Sequence, residues 1–262
     1  MNTEIDGLKI YYRDEGEGPL LILLHGWGSN VDLFDGIFRF ASKKYHVVGM
    51  DMPGFGKSDE PKDSWEVSDF VTFVIHFIKK LYPDEKEIMF LGHSMGGRVI
   101  IKMIGTKTEE ELGFRIPRVI LTDSAGIKPV PSGKQSGRTK RYKFYKNVLI
   151  KTGIAKAFPN TLENLKKKFG SADYAAASPV MRGSLVKVVN EDLTQYMPSV
   201  NMPALLIWGD QDTATPLSDG KKMEELMPEA GLAVIPGAGH YSFLDNQYMY
   251  NKILGSFLKI EM

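Results

Sequence analysis

Ser94 lies in FLGHSMGG, directly after a run of apolar residues and among glycines, and Gly92-His93-Ser94-Met95-Gly96 fits the spacing G-x-S-x-G. Small residues two before and two after a serine let a strand and a following helix approach closely. The serine itself then takes a strained backbone conformation that pushes its oxygen into a cleft, and the helix N-terminus lies beneath any negative charge that develops there. The competing reading is a glycine-rich strand-to-helix turn holding an incidental serine. A serine hydroxyl is a weak nucleophile at neutral pH, so the reactive reading requires a histidine to take its proton and a carboxylate to orient that histidine.

The sequence offers five histidines for that test. His76 falls within an amphipathic helical pattern and His46 at the start of a strand, which are scaffold positions. His93 adjoins the serine, but a neighbour in such a turn points its side chain away from Oγ. His25, at the end of an apolar strand, reads as a residue that pins its own loop. His240 follows the last apolar run, in PGAGHYSFLD, where glycines permit a tight approach, and is the expected general base.

Three aspartates compete for the orienting role. Asp210 and Asp212 stand in GDQDTATP and Asp123 in RVILTDSAG, and all three satisfy the chain order Ser, Asp, His. Asp212 is the choice, because a G-x-x-D turn after the penultimate strand sets it beside the loop carrying His240. Asp123 stays as the alternative, and Asp210 reads as a turn residue. Acyl chemistry also needs oxyanion donors: the backbone N–H after the nucleophile, Met95, and one from the HGWGSN loop, Trp27.

These residues need a scaffold that gathers them. LKIYYRD, PLLILLHG, YHVVGMD, EIMFLG, RVILTD, PALLIWG and GLAVIPG read as strands, most of them near-continuously apolar, as strands covered on both faces are. WEVSDFVTFVIHFIKKLY carries Phe70, Phe73, Val74, Phe77 and Ile78 at helical spacing; Met95 to Ile104 and LDNQYMYNKILGSFLKI are further helices. Strands alternating with helices predict an α/β fold, a mostly parallel central sheet with helices on both sides. In such sheets reactive groups collect beyond the carboxyl ends of the strands, and HGWG, GHSMGG, GDQDTATP and GAGH all fall there. The interval from about Gly126 to Asn201 has no convincing strand and is expected to be a helical insertion. The expected division is therefore a core of 1–125 and 202–262 interrupted by a helical cap over 126–201.

Composition narrows the class. A chain of 262 residues, 43% of them hydrophobic, can bury one large core. No stretch approaches the roughly 18 apolar residues of a membrane span, and the start has no basic segment leading into an apolar one; no integral membrane association is expected. A net charge of +1 argues against nucleic acid as a partner. The absence of cysteine excludes disulfides and thiolate catalysis, which suits a reducing, cytoplasmic setting. No metal-ligand spacing occurs, so neither metal nor cofactor is expected. GKS in PGFGKSDE does not begin a phosphate loop, because Asp51 stands where the first glycine is required and Pro53 removes an amide.

Charge is unevenly spread. From Ile127 to Val189 fourteen Lys or Arg meet two acids, Glu163 and Asp173, giving +12 there and −11 elsewhere. One reading is complementarity between a basic cap and an acidic core. The sharper one is attraction of anionic substrates or an acidic membrane surface.

In the order HGWG, DMPGFGKSD, GHSMGG, GDQDTATP and GAGH, from Leu20 to about Leu244, the chain resembles the α/β-hydrolase fold, and HGW with SMGG is similar to its esterase and perhydrolase branch. The resemblance implies a helical cap between the sixth and seventh strands and a serine hydrolase acting on a small ester-like molecule. Carbon–carbon bond hydrolases and enol-lactonases with the same three residues stay open, as does a signalling receptor that keeps the fold to bind a ligand. Dehalogenases and epoxide hydrolases of this kind use an aspartate at the elbow, so Ser94 points away from them.

Overall fold

The computed structural model describes residues 1–128, 144–147 and 172–261. Eight strands form one sheet: β1 (Asn2–Ile5), β2 (Leu8–Glu15), β3 (Leu20–Leu24), β4 (His46–Met50), β5 (Ile88–His93), β6 (Val119–Thr122), β7 (Ala204–Gly209) and β8 (Ala230–Ile235). Their spatial order is β1-β2-β4-β3-β5-β6-β7-β8. β1 with β2 and β2 with β4 pair antiparallel; every later pair is parallel. The parallel register sets Leu24 opposite Gly92, Gly92 opposite Leu121, and Thr122 opposite Ile207, which lines up the carboxyl ends of the central strands. After β3 the chain turns to β4 on one side and then to β5 on the other. The crevice between β3 and β5 is thus where strand order reverses, and such a switch point is where open sheets bind ligands.

β3, LLILL, is buried throughout, and its residues divide between two cores. Leu20, Ile22 and Leu24 face one apolar cluster, and Leu21 and Leu23 face the other, the period of two that strand geometry imposes. On the first face lie α2 (Val67–Leu81), α3 (Met95–Thr106) and α7 (Leu217–Leu226), contributing Phe70, Phe73, Phe77, Val99, Ile100 and Met223. On the second face α1 (Asp35–Ala41) and α9 (Gln247–Leu258) contribute Ile37, Phe38, Tyr250, Leu254 and Leu258. Each such side chain adds about 1.5–3 kcal/mol by leaving water, and truncating one, as in Ile22→Ala, costs about 2–5 kcal/mol.

Three features differ from the sequence expectation. β1 is a short, mostly exposed edge strand whose polar NTE carries no apolar alternation. The C-terminal helix is two pieces, α8 (Ser242–Asp245) and α9, separated at Asn246, whose side chain accepts from Met249 N–H and starts α9. α1, α7 and a short α4 (Glu109–Leu112) are additional.

Between β6 and β7 the described residues contain no strand; they form α5 (Ala172–Ala176), α6 (Pro179–Asn190) and a 3-10 turn over Thr194–Ser199. The rest of the expected 126–201 insertion, residues 129–143 and 148–171, lies outside the described residues, and with it most of the basic segment. Its two ends meet at the core. Leu193 N–H donates to Gly126 O at 2.9 Å, and the buried Arg98 guanidinium of α3 donates to Glu191 O at 2.7 Å and Ile127 O at 3.5 Å. α6 docks through Met181 and Val188, and Trp65 N–H donates to Ser184 Oγ at 2.8 Å.

Candidate active site

Ser94 joins β5 to α3 with φ 51° and ψ −111°, a conformation that costs about 1–3 kcal/mol and persists only where the surroundings enforce it. Here they do. Its N–H donates to Thr122 O at 3.2 Å, and its carbonyl accepts from Gly97 N–H at 3.1 Å and Ala125 N–H at 3.0 Å. The flanking glycines are dictated by contact: a Cβ on Gly96 would collide with the Leu24 carbonyl, and one on Gly92 would lie 2.6 Å from Gly97 N. The serine side chain makes no cap bond to its own helix and is free to face His240.

His240 sits beyond β8, in a loop held by Gly237 N–H donating to Asp210 Oδ1 and Gly239 N–H donating to Asp245 Oδ2, each at 2.7 Å. Asp212, in the turn after β7, has a fully buried side chain. Its Oδ1 accepts from Ala214 N–H at 2.7 Å and Thr215 N–H at 3.0 Å; its Oδ2 accepts from Thr215 Oγ1 at 2.7 Å and from His240 Nδ1 at 2.8 Å. Burial pushes this carboxyl up, but hydrogen bonds from His240 and Thr215 outweigh it and hold Asp212 below the usual carboxylate range. An ionised carboxylate only accepts, so His240 carries its proton on Nδ1 and offers Nε2 as a lone pair. Ser94 Oγ–H lies 3.1 Å from that Nε2 and donates to it.

The loop after β3 passes Ser94 and His93 at Gly26, where a Cβ would stand 3.1 Å from Ser94 Cβ and 2.8 Å from His93 Nδ1. A side chain there would force His93 or Ser94 to shift, so glycine fits, and Trp27 is the next residue along the loop. His25 pins the loop: Nδ1–H donates to Gly26 O at 2.7 Å, and Nε2 accepts from Met52 N–H at 2.9 Å. Burial lowers its pKa, in keeping with a neutral ring. Trp27 packs edge-on against Phe55, with ring centroids 4.9 Å apart. Met95, the first residue of α3, carries one of the amides a helix leaves without an internal acceptor. A cavity of about 390 Å³ opens beside Trp27, Gly28, Phe55, Ala176 and Met181.

The other sequence candidates are placed elsewhere. Asp123 does not meet His240; its Oδ1 accepts from Gly209 N–H at 2.9 Å, and its Oδ2 from Ser242 N–H at 3.0 Å and Ser242 Oγ at 2.6 Å. Burial pushes its carboxyl up to about 6. Asp210, expected as a turn residue, instead reaches across to the His240 loop, where its Oδ1 accepts from Gly237 N–H; His46 and His76 pair with Asp14 and Asp6, each at 2.7 Å. His93 turns away from Oγ and donates from Nε2 to the main-chain oxygen of His240 at 2.8 Å. Sequence reasoning missed Thr215, although a threonine three residues after an aspartate in a turn is the pattern of a side chain folding back onto it. It also missed Asp51, which accepts from Val31 N–H at 2.7 Å and Lys57 N–H at 2.8 Å and so joins the loops after β3 and β4. Among the described residues no group of three or more His, Asp or Glu is placed to hold a metal ion, and no helix is long and apolar enough to cross a membrane.

Comparison with known proteins agrees with this architecture. A non-heme chloroperoxidase of Kitasatospora aureofaciens is 26% identical over 257 residues, covering 91% of this chain and 90% of its own. A pimeloyl-[acyl-carrier protein] methyl ester esterase of Aliivibrio fischeri is 25% identical over 261 residues, covering 95% and 97%. Among solved structures, an esterase from Exiguobacterium antarcticum superposes with a TM-score of 0.74 at 25% identity, covering 99% of this chain and all (100%) of the other. The family model for the alpha/beta hydrolase fold matches residues 19–247, and the chain belongs to that family.

Proposed function

We propose that the protein is a cofactor-independent serine hydrolase of carboxylic ester-like bonds, with Ser94, His240 and Asp212 as its triad. The observation that carries this reading is the unbroken chain of hydrogen bonds from Ser94 Oγ through His240 to a buried, four-times-donated Asp212. Ser94 Oγ attacks the ester carbonyl carbon while His240 Nε2 takes its proton. Asp212 keeps Nδ1 protonated and stabilises the imidazolium. The amides of Trp27 and Met95 receive the oxyanion, the term that contributes most to acyl transfer. The tetrahedral adduct collapses, His240 returns the proton to the departing alkoxide, and Ser94 keeps the acyl group. Water then loses a proton to His240, attacks the acyl carbonyl, and releases the acid and the free serine.

The ester preference draws on the two relatives whose names are esterases, one of them for a methyl ester on an acyl-carrier protein. The residues from 126 to 201 act in this reading as a cap that shapes the substrate pocket. Arg98, holding both ends of that segment, supports it. Steady-state hydrolysis of p-nitrophenyl esters of graded acyl length tests the function. Turnover lost in Ser94→Ala is expected, and turnover retained by that variant overturns the assignment. Comparing neutral with carboxylate-bearing esters at low and high salt tests attraction of anionic substrates; equal efficiency at low salt defeats it.

A further inference from the structure

We propose that His93 is a positioning residue, a buried imidazole whose Nε2–H fixes the main chain of His240 and thereby sets the reach of the base to Ser94; the proposal rests on the triad reading above. His93 and Ser94 are neighbours whose side chains leave the backbone in different directions, and together they grip His240 at two points. Ser94 Oγ meets the ring at Nε2, and His93 meets the carbonyl of the same residue at 2.8 Å. The end of β5 therefore fixes both the nucleophile and the backbone from which the base is hung.

The chemistry of the ring restricts it to one form. A carbonyl only accepts, so the His93 proton on Nε2 is obligatory. Nδ1 is buried with no hydrogen-bond partner among the described residues and faces Gly26, where a Cβ would lie only 2.8 Å away. A second proton on Nδ1 would point at that methylene with nothing to receive it, so the ring is held neutral in a single tautomer. The groups around it are the rings of His240 at 4.9 Å, Tyr241 at 5.0 Å and Phe243 at 5.2 Å, with His25 and Asp212 as further charge-bearing neighbours. Burial, followed by the nearby His240, lowers the His93 pKa to about 3. Neutrality has a use: a cation in van der Waals reach of His240 would oppose the imidazolium that forms there during each turnover. An orphaned buried nitrogen is a cost, of the kind that persists at functional sites.

Three substitutions separate the donor from the bulk. His93→Phe keeps a ring without a donor, His93→Gln places an amide N–H near the position of Nε2, and His93→Asn places its amide short of it. Expected for His93→Phe is a fall in kcat of about ten- to thirtyfold, the worth of one buried hydrogen bond, with KM unchanged. His93→Gln is expected to recover to within about threefold of the parent on the same scale, and His93→Asn to resemble His93→Phe. The low-field proton NMR signal of His240 Nδ1–H should shift or broaden in His93→Phe and return in His93→Gln. That signal needs no turnover, so it tests the positioning even if the parent protein cleaves no ester. If His93→Phe does not fold, the Gln and Asn variants decide: equal kcat and equal spectra in those two overturn the proposal, as does a folded His93→Phe with parental kcat and an unmoved signal.

Discussion

Ser94 Oγ and His240 Nε2 stand 3.1 Å apart, although 146 residues separate them along the chain. Nothing local produces that approach. It follows from β5 lying at the switch point of the sheet, and from a β8 loop tied down at Gly237, Gly239 and the His240 carbonyl. The serine is strained and the histidine is anchored by its backbone, so the fold itself holds the pair in place, the preorganisation that the proposed triad calls for.

The two buried aspartates should separate by phenotype. Asp212→Asn sets an amide where the Ala214 and Thr215 N–H groups and His240 require an acceptor, and it removes the reason for His240 to keep its proton on Nδ1. The expected fall in kcat is about 10²- to 10⁴-fold. Asp123→Asn faces donors too, from Gly209 and Ser242, but does not meet His240. It should lose about 1–3 kcal/mol of stability with kcat of the folded enzyme within a few fold. Kinetics and urea unfolding on both variants check this.

Thr215 supplies Asp212 with both a backbone and a hydroxyl donor. Thr215→Val keeps the backbone donor but removes the hydroxyl, which also lies 3.0 Å from Asp123 O and 3.2 Å from His240 Nδ1, and leaves a buried carboxylate oxygen with one donor fewer, so kcat should fall about three- to tenfold with about 1 kcal/mol lost in stability. Thr215→Ser should recover both, measured by the same assays.

Gly96→Ala tests the elbow as a packing constraint. The new methyl meets the Leu24 carbonyl of a central strand, which cannot withdraw without disturbing its pairing with β4 and β5. A loss of about 1–3 kcal/mol is expected, read by urea unfolding, whereas Gly231→Ala, at a glycine whose added Cβ would meet nothing within 4 Å, should be near neutral.

Stability should depend on pH through His93. Its folded pKa, about 3, lies below the unfolded value of 6.5, so on acidification the unfolded chain takes up the proton first. The contribution is complete above pH ~6.5 and is lost as pH falls toward ~3, amounting to about 2 kcal/mol by pH ~5. Asp212, also depressed, adds a loss of the same sign below the ordinary carboxylate range. Unfolding free energies between about pH 7 and 5 should fall less steeply in His93→Gln than in the parent.

Much of the architecture and the three proposed triad residues are legible in the sequence, because apolar runs mark buried parallel strands and the polar residues that follow them mark one edge. Ser94, His240 and Asp212 each stand at such an exit. The supporting residues are legible only in part. Asp123 reads as a rival carboxylate until its donors are seen to be Gly209 and Ser242. His93 looks idle because its partner is a carbonyl 147 positions away. β1 is hidden because its first three residues are polar and Ile5 alone enters the core, and the break at Asn246 is overlooked because apolar residues stand on both sides of it.

The central claim is that Ser94 is the nucleophile, and active-site labelling tests it most directly. The protein treated with a fluorophosphonate should gain the mass of one phosphonyl group, mapped to the peptide carrying Ser94, and Ser94→Ala should gain none. A parent that stays unlabelled while folded, or a label that persists in Ser94→Ala, would contradict the account.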